Sequence, residues 1–248
     1  MHKEFKRVIA NADTAVLFIH GIVGTPNHFR NLLPLEDLVP DGWSVWNLCL
    51  PGHGGSVKEF GQSTMAQWRQ YVKMAFLELA ENHGQVILVG HSMGTLFALQ
   101  LAAEFPDKVQ ELFLLAVPLR PHLGFPIINS CLRLVFGRIR EDRPVEQSIL
   151  FACGATPTPK VWQYIGWLPR FAELLVQIRK TEKILTDIQV PCRIFQSRRD
   201  ELVSNRSEKV LTKYGMNVVR LSHSGHFYYA PEDKNLVLTA WNKVKKQA

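Results

Sequence analysis

The chain has 248 residues, 46% of them hydrophobic, and a formal net charge of +7. That is enough for one domain with a full core, and no apolar stretch reaches the about 18 uncharged residues of a membrane-spanning helix, which excludes an integral membrane protein. The basic residues are densest at 133–143, 198–199 and 243–246, without the long run or interleaved aromatics of a nucleic-acid surface. They read as a solvated face, with attraction to anionic substrates or lipid headgroups as a second reading.

The first residues are charged and the apolar run at 15–19 is too short for a signal peptide, so the expected location is cytoplasmic. Cys49, Cys131, Cys153 and Cys192 are scattered, with no C-x-x-C pair and no histidines at ligand spacing. They are expected to be reduced and mostly buried, and neither a metal nor a cofactor is expected.

In chain order, residues 5–10 and 15–19 read as strands, and 28–38 as a helix with Thr25 or Asn27 as its cap and Pro26 in its first turn. Residues 43–48 form the next strand, followed by the glycine-rich loop 50–56. A long amphipathic helix over 65–82 is capped by Ser63 or Thr64. Strands follow at 86–89, 112–117, 193–196 and 217–221, and helices at 204–211 and 232–246. This alternation predicts a mostly parallel sheet flanked by helices.

Residues 118–180 break the alternation. They carry Pro118, Pro121, Pro126, Pro144, Pro157, Pro159 and Pro169 among apolar pieces at 127–136 and 171–178. The expected division is a core at 1–117 and 181–248 with a helical cap at 118–180, over the end of the sheet.

The strand at 86–89 runs through Gly90-His91-Ser92-Met93-Gly94 straight into an apolar helix. Gly90 and Gly94 let strand and helix approach, so Ser92 sits at the tip of a strained turn, its hydroxyl presented to solvent beside the positive end of the helix. This is a nucleophile elbow.

In a parallel sheet, ligands meet the carboxyl ends of the strands. Asp200 follows the strand at 193–196, with Glu201 as its rival; His226 follows the strand at 217–221, with His223 as its rival. Gly225 gives the His226 loop the sharper reach. A serine hydroxyl needs an imidazole to take its proton, and the imidazole needs a carboxylate to fix its tautomer. An oxyanion hole is expected from the backbone N–H groups of Met93 and Ile22. His20 and His53 are expected to hold loop backbone, and His91 to point away from substrate.

Taken together, residues 20–26, 50–54, 90–94, 200–203 and 224–226 resemble the motifs of the α/β-hydrolase superfamily, and within it those of bacterial carboxylesterases and monoacylglycerol lipases. The resemblance covers nearly the whole core. Thr95 and Ser197-Arg198-Arg199 stand where relatives often carry glycine, and only about one strand fits ahead of Ala15, short of the family's full sheet. The resemblance implies an α/β-hydrolase fold with a helical cap inserted after the sixth strand of the family's sheet. It implies a serine hydrolase acting through Ser92, Asp200 and His226 on short- to medium-chain acyl esters or monoacylglycerols. The same triad serves thioesters, lysophospholipids, amides and carbon–carbon bonds, and a non-catalytic ligand-binding protein is the alternative of another class. Expected partners are a small acyl ester and, peripherally, lipid, but not nucleic acid; a monomer or homodimer is expected.

Overall fold

A computed structural model describes residues 2–247. The elements run β1 (Phe5–Arg7), β2 (Thr14–Ile19), β3 (Ser44–Asn47), β4 (Gly55–Ser56), α1 (Val57–Gln62), α2 (Met65–Asn82), β5 (Gln85–His91), α3 (Met93–Glu104) and β6 (Val109–Leu115). They continue with α4 (Phe125–Val135), α5 (Pro144–Ala152), β7 (Ala155–Thr156), α6 (Trp167–Glu182), β8 (Cys192–Ser197), α7 (Arg206–Lys213), β9 (Val218–Leu221) and α8 (Pro231–Gln247).

Seven strands form one sheet in the order β1-β3-β2-β5-β6-β8-β9. Only β1 is antiparallel to its neighbour. The stretches 15–19, 86–89 and 112–115 of the central strands are apolar because both faces are covered, and their side chains divide by the two-residue period of a strand. Leu17, Ile19, Leu88, Leu112 and Ile194 face a core shared with Trp68 and Phe76 of α2 and Phe97 of α3. Val16, Phe18, Val89, Phe113 and Phe195 face the opposite core, closed by Val237 and Trp241 of α8. Helix α2 starts as its sequence dictates: Thr64 Oγ1 accepts from the Gln67 amide while Gln67 Oε1 accepts from the Thr64 amide.

The expected helix over 28–38 does not form. The segment folds as two 3₁₀ turns, Pro26–Phe29 and Glu36–Leu38, with irregular chain between them. Pro34 is the physical reason: it lacks an N–H, its ring meets the carbonyl four residues earlier, and it biases Leu33 away from helical backbone. The apolar spacing is still used, since Phe29, Leu32, Leu33 and Leu35 are buried in the α8-side core.

Between β6 and β8 lie α4, α5, the short β7, a 3₁₀ stretch at Val161–Gly166, and α6. Leu174 and Ile178 anchor α6 in the α2–α3 core, whereas Phe125, Leu132, Trp162, Ile165 and Leu168 are exposed. Strand β7 pairs with β4 in a separate two-stranded sheet. The cysteines are free, but their expected burial is corrected: Cys49, Cys153 and Cys192 are half-buried and Cys131 is exposed. Cys131 lies on α4 beside the exposed Ile128 and Leu132, a face that no core covers. Among the described residues, no helix is long and apolar enough to cross a membrane.

Candidate active site

Strand β5 ends at His91 and α3 begins at Met93, leaving Ser92 alone to reverse the chain at φ 51°, ψ −122°. A serine is held in this left-handed, strained region only when its surroundings over-determine it. Here the Ser92 amide donates to the Leu115 carbonyl at the end of β6 (2.8 Å), and the Ser92 carbonyl accepts from the Thr95 amide (2.9 Å) and hydroxyl (2.6 Å). Both elbow glycines are sterically required. A Cβ on Gly90 would meet Thr95 Cα at 2.8 Å, and one on Gly94 would stand 2.0 Å from the Ile19 carbonyl oxygen. The expected solvent presentation of Ser92 is corrected. The residue is only 7% exposed, because the loop after β2 lies against it so closely that a Cβ on Gly21 would be 2.9 Å from Ser92 Cβ.

Asp200 and His226 arrive from the ends of β8 and β9 and meet, with His226 Nδ1 2.9 Å from Asp200 Oδ2 and 3.0 Å from Oδ1. Both residues are buried. Asp200 Oδ1 also accepts the amides of Leu202 (2.8 Å) and Val203 (2.7 Å), which aims the carboxylate at the ring. Glu201 makes no hydrogen bond with the His226 ring; it accepts the His226 amide (2.8 Å) and so fixes the loop. The rival His223 is exposed, and its amide is held by Asp233 (2.7 Å). Asp233 also accepts from the Ser222 amide and the Ser224 hydroxyl. Burial pushes the Asp233 carboxyl up, but these hydrogen bonds outweigh it and hold the group below the ordinary carboxylate range. Sequence spacing does not reveal this brace, since nothing local links Asp233 to Ser224. In this conformation the His226 ring bonds to Asp200, and no hydrogen bond closes between Ser92 and His226.

The loop after β2 turns tightly through Gly21–Gly24, where the Gly24 amide donates to the Gly21 carbonyl (3.0 Å) and Val23 sits at φ 54°. The bond that closes the turn is donated by Gly24 and not by Ile22, and the Met93 amide, first in α3, has no acceptor within its helix. Arg198 and Arg199 are exposed beside Asp200. An apolar cavity of about 680 Å³, lined by Leu134, Phe136, Ile139, Leu150 and Pro157, lies between α4 and α5 and touches none of Ser92, Asp200 or His226.

Behind the site, buried histidines bind one another's elements. His20 accepts the Leu50 amide at Nε2 (3.0 Å) and faces the Gly21 carbonyl at Nδ1 (2.9 Å), which suits the neutral ring; burial lowers its pKa to about 4. His53 stacks edge-on to His20 and is lowered by burial and by His20. His91 stacks on His28 at 3.7 Å, packs its ring 4.7 Å from that of His226, and donates from Nε2 to the His226 carbonyl (3.1 Å). Burial, then neighbouring histidines, hold His28 and His91 well below their ordinary value.

Because these folded values lie below 6.5, the unfolded chain binds more protons under that pH. The stabilisation is complete above about pH 6.5 and is lost as pH falls toward the folded values. His20 alone is expected to cost about 3 kcal/mol by pH 4. Urea midpoints measured from pH 7 to 4.5 should fall steadily; an unchanged midpoint would mean that the rings are not held neutral.

A family model described as alpha/beta hydrolase fold matches residues 14–138. A thermostable monoacylglycerol lipase of Bacillus sp. strain H-257 is 26% identical over 241 residues, covering 92% of this chain and 88% of its own. The dihydrolipoyllysine-residue acetyltransferase component of an acetoin cleaving system from Cupriavidus necator is 39% identical over 117 residues, 46% of this chain; the match spans only 28% of that longer protein. Among solved structures, one from a study of the metagenome-derived lipolytic enzymes LipS and LipT superposes with a TM-score of 0.74 at 20% identity, covering 100% of this chain and 98% of that one. With half the chain matched by the family model and the whole of it by the fold, the chain belongs to the α/β-hydrolase fold family.

Proposed function

We propose that this protein is a carboxylic ester hydrolase that works through an acyl-enzyme on Ser92, with short- to medium-chain acyl esters or monoacylglycerols as substrates. The observation that carries this reading is the buried Asp200–His226 pair, which meets the elbow through His91 (ring centroids of His91 and His226 4.7 Å apart), next to Ser92 at φ 51°. The similarity to the Bacillus monoacylglycerol lipase over 92% of this chain supports the substrate class.

In this mechanism His226 Nε2 takes the Ser92 proton as Oγ attacks the ester carbonyl, and Asp200 stabilises the imidazolium. The Ile22 and Met93 amides receive the oxyanion. The proton passes to the leaving alcohol, and water activated by His226 then releases the acid. A rotation of the Ser92 side chain toward His226 on substrate binding closes the remaining hydrogen bond, as such contacts tighten in the Michaelis complex. Residues 118–180 form the cap, anchored through α6. Its exposed Phe125, Leu132, Trp162 and Leu168 suit contact with a lipid surface.

The test is covalent labelling by a fluorophosphonate together with initial rates on p-nitrophenyl esters from acetyl to palmitoyl. Labelling and an optimum at short to medium length are expected, with a rate rise where the longer esters aggregate. Folded protein that neither labels nor turns over any ester would refute the reading and favour a ligand-binding role. Labelling without ester turnover would move the search to thioesters, amides and carbon–carbon bonds.

A further inference from the structure

The loop that carries Ile22 is not held by the sheet alone. The Gly154 amide, just beyond α5, donates to the Val23 carbonyl (2.6 Å), and the Gly154 carbonyl accepts from the Gly54 amide (2.6 Å). The two peptide units that flank Gly154 therefore bridge the loop after β2 and the glycine-rich loop that follows β3. The bridge continues into the β4–β7 pairing, Gly55 with Ala155 and Ser56 with Thr156. From the same segment, the Phe151 carbonyl accepts from Asn27 Nδ2 (3.4 Å).

Two features show that this contact is tight and under load. A Cβ on Gly154 would lie 2.2 Å from the Gly24 carbonyl oxygen and 3.0 Å from the Val23 oxygen, both backbone atoms that cannot swing aside. Val23 is β-branched yet sits at φ 54°, a conformation that is costly for such a residue and persists only where neighbours impose it. The group that holds the Val23 carbonyl is the Gly154 amide.

We infer that Gly154 is a positioning residue: its peptide sets the Gly21–Gly24 turn, and so the Ile22 amide, making the oxyanion hole complete only while the segment after α5 is docked. This rests on the proposed role of Ile22. It couples the cap to the chemical step through three backbones and needs no side chain.

The test is Gly154→Ala, compared with wild type for kcat, KM and inhibition by an alkyl trifluoromethyl ketone, whose carbonyl adds Ser92 Oγ to form a hemiketal with its oxygen in the oxyanion position. A displaced donor is expected to lower kcat about 10²-fold and to weaken the ketone by a similar factor, with KM within about 3-fold. A merely structural role would reduce the active fraction, or shift KM and the ketone together, without this split. Folded Gly154→Ala with kcat and ketone affinity within about 3-fold of wild type would overturn the inference. If the variant does not fold, amide hydrogen exchange of wild type decides. Peptides covering 21–25 and 152–156 are expected to open as one unit, and protection of 21–25 that outlasts free exchange of 152–156 would overturn it. Fluorophosphonate labelling of wild type is run alongside. Loss of labelling there strikes the proposed function, whereas a labelled, active enzyme indifferent to Gly154→Ala strikes only this inference.

Discussion

Ser92→Ala is expected to lower kcat on the best p-nitrophenyl ester by at least ~10³-fold, about 4 kcal/mol of lost transition-state stabilisation, with KM little changed. The size follows from geometry as well as chemistry. Without Oγ no acyl-enzyme forms, and the activity left comes from the oxyanion donors and from substrate binding. The fold should tolerate the change, because the bonds that fix residue 92 use its amide and carbonyl, to Leu115 and Thr95. Its side chain makes no cap bond with α3. The measurement is initial rate against ester concentration for both proteins, with circular dichroism to confirm folding. Equal activity in the two would remove Ser92 from the mechanism altogether.

Asp200→Asn is expected to cost about 10⁴-fold in kcat at neutral pH, and Glu201→Gln far less. Asp200 Oδ1 accepts the amides of Leu202 and Val203, so an asparagine there places its oxygen on those donors and turns its NH2 toward His226 Nδ1. The ring must then accept at Nδ1 and carry its proton on Nε2, the tautomer that cannot take the serine proton. Glu201 touches the same residue only through the backbone amide of His226, and a glutamine oxygen can still accept there. Rates for the two variants on one ester settle which carboxylate works on the ring. A larger loss at Glu201 than at Asp200 would reverse the assignment.

The parts of the site that were legible in the sequence depend on short-range patterns. The elbow is readable because strand, Gly90, Ser92, Gly94 and helix follow without a gap, and backbone sterics allow little else. Asp200 and His226 are readable as residues in loops just beyond strands, with strand-end placement and Gly225 favouring them over Glu201 and His223. Only the fold reveals that one neighbour binds a ring and the other an amide. The segment at 28–38 misled because apolar spacing suited a helix while Pro34 forbade one, and the buried leucines are packed by irregular chain instead. The bond from Gly154 to Val23 was invisible for another reason. It joins backbone atoms more than a hundred residues apart and leaves no side-chain signature.

The strand order carries a consequence for how the enzyme gains and loses its activity. Ser92 belongs to the middle of the sheet, but Asp200 and His226 ride on β8 and β9, the last strands made and the outermost on that side. Strand β8 joins the sheet only by pairing with β6 across the long 118–180 segment, and β9 joins only through β8. Such distant pairings carry the largest closure cost and form late. An edge pair of this kind is also drawn from the part of a protein that opens first. On the proposed triad, a chain with its N-terminal half already folded holds a strained serine with neither base nor acid, and hydrolysis is expected only once the final two strands dock. On warming, detachment of that edge silences the chemistry while the central strands remain paired, so the catalytic lifetime of this enzyme is set by its margin rather than by its core.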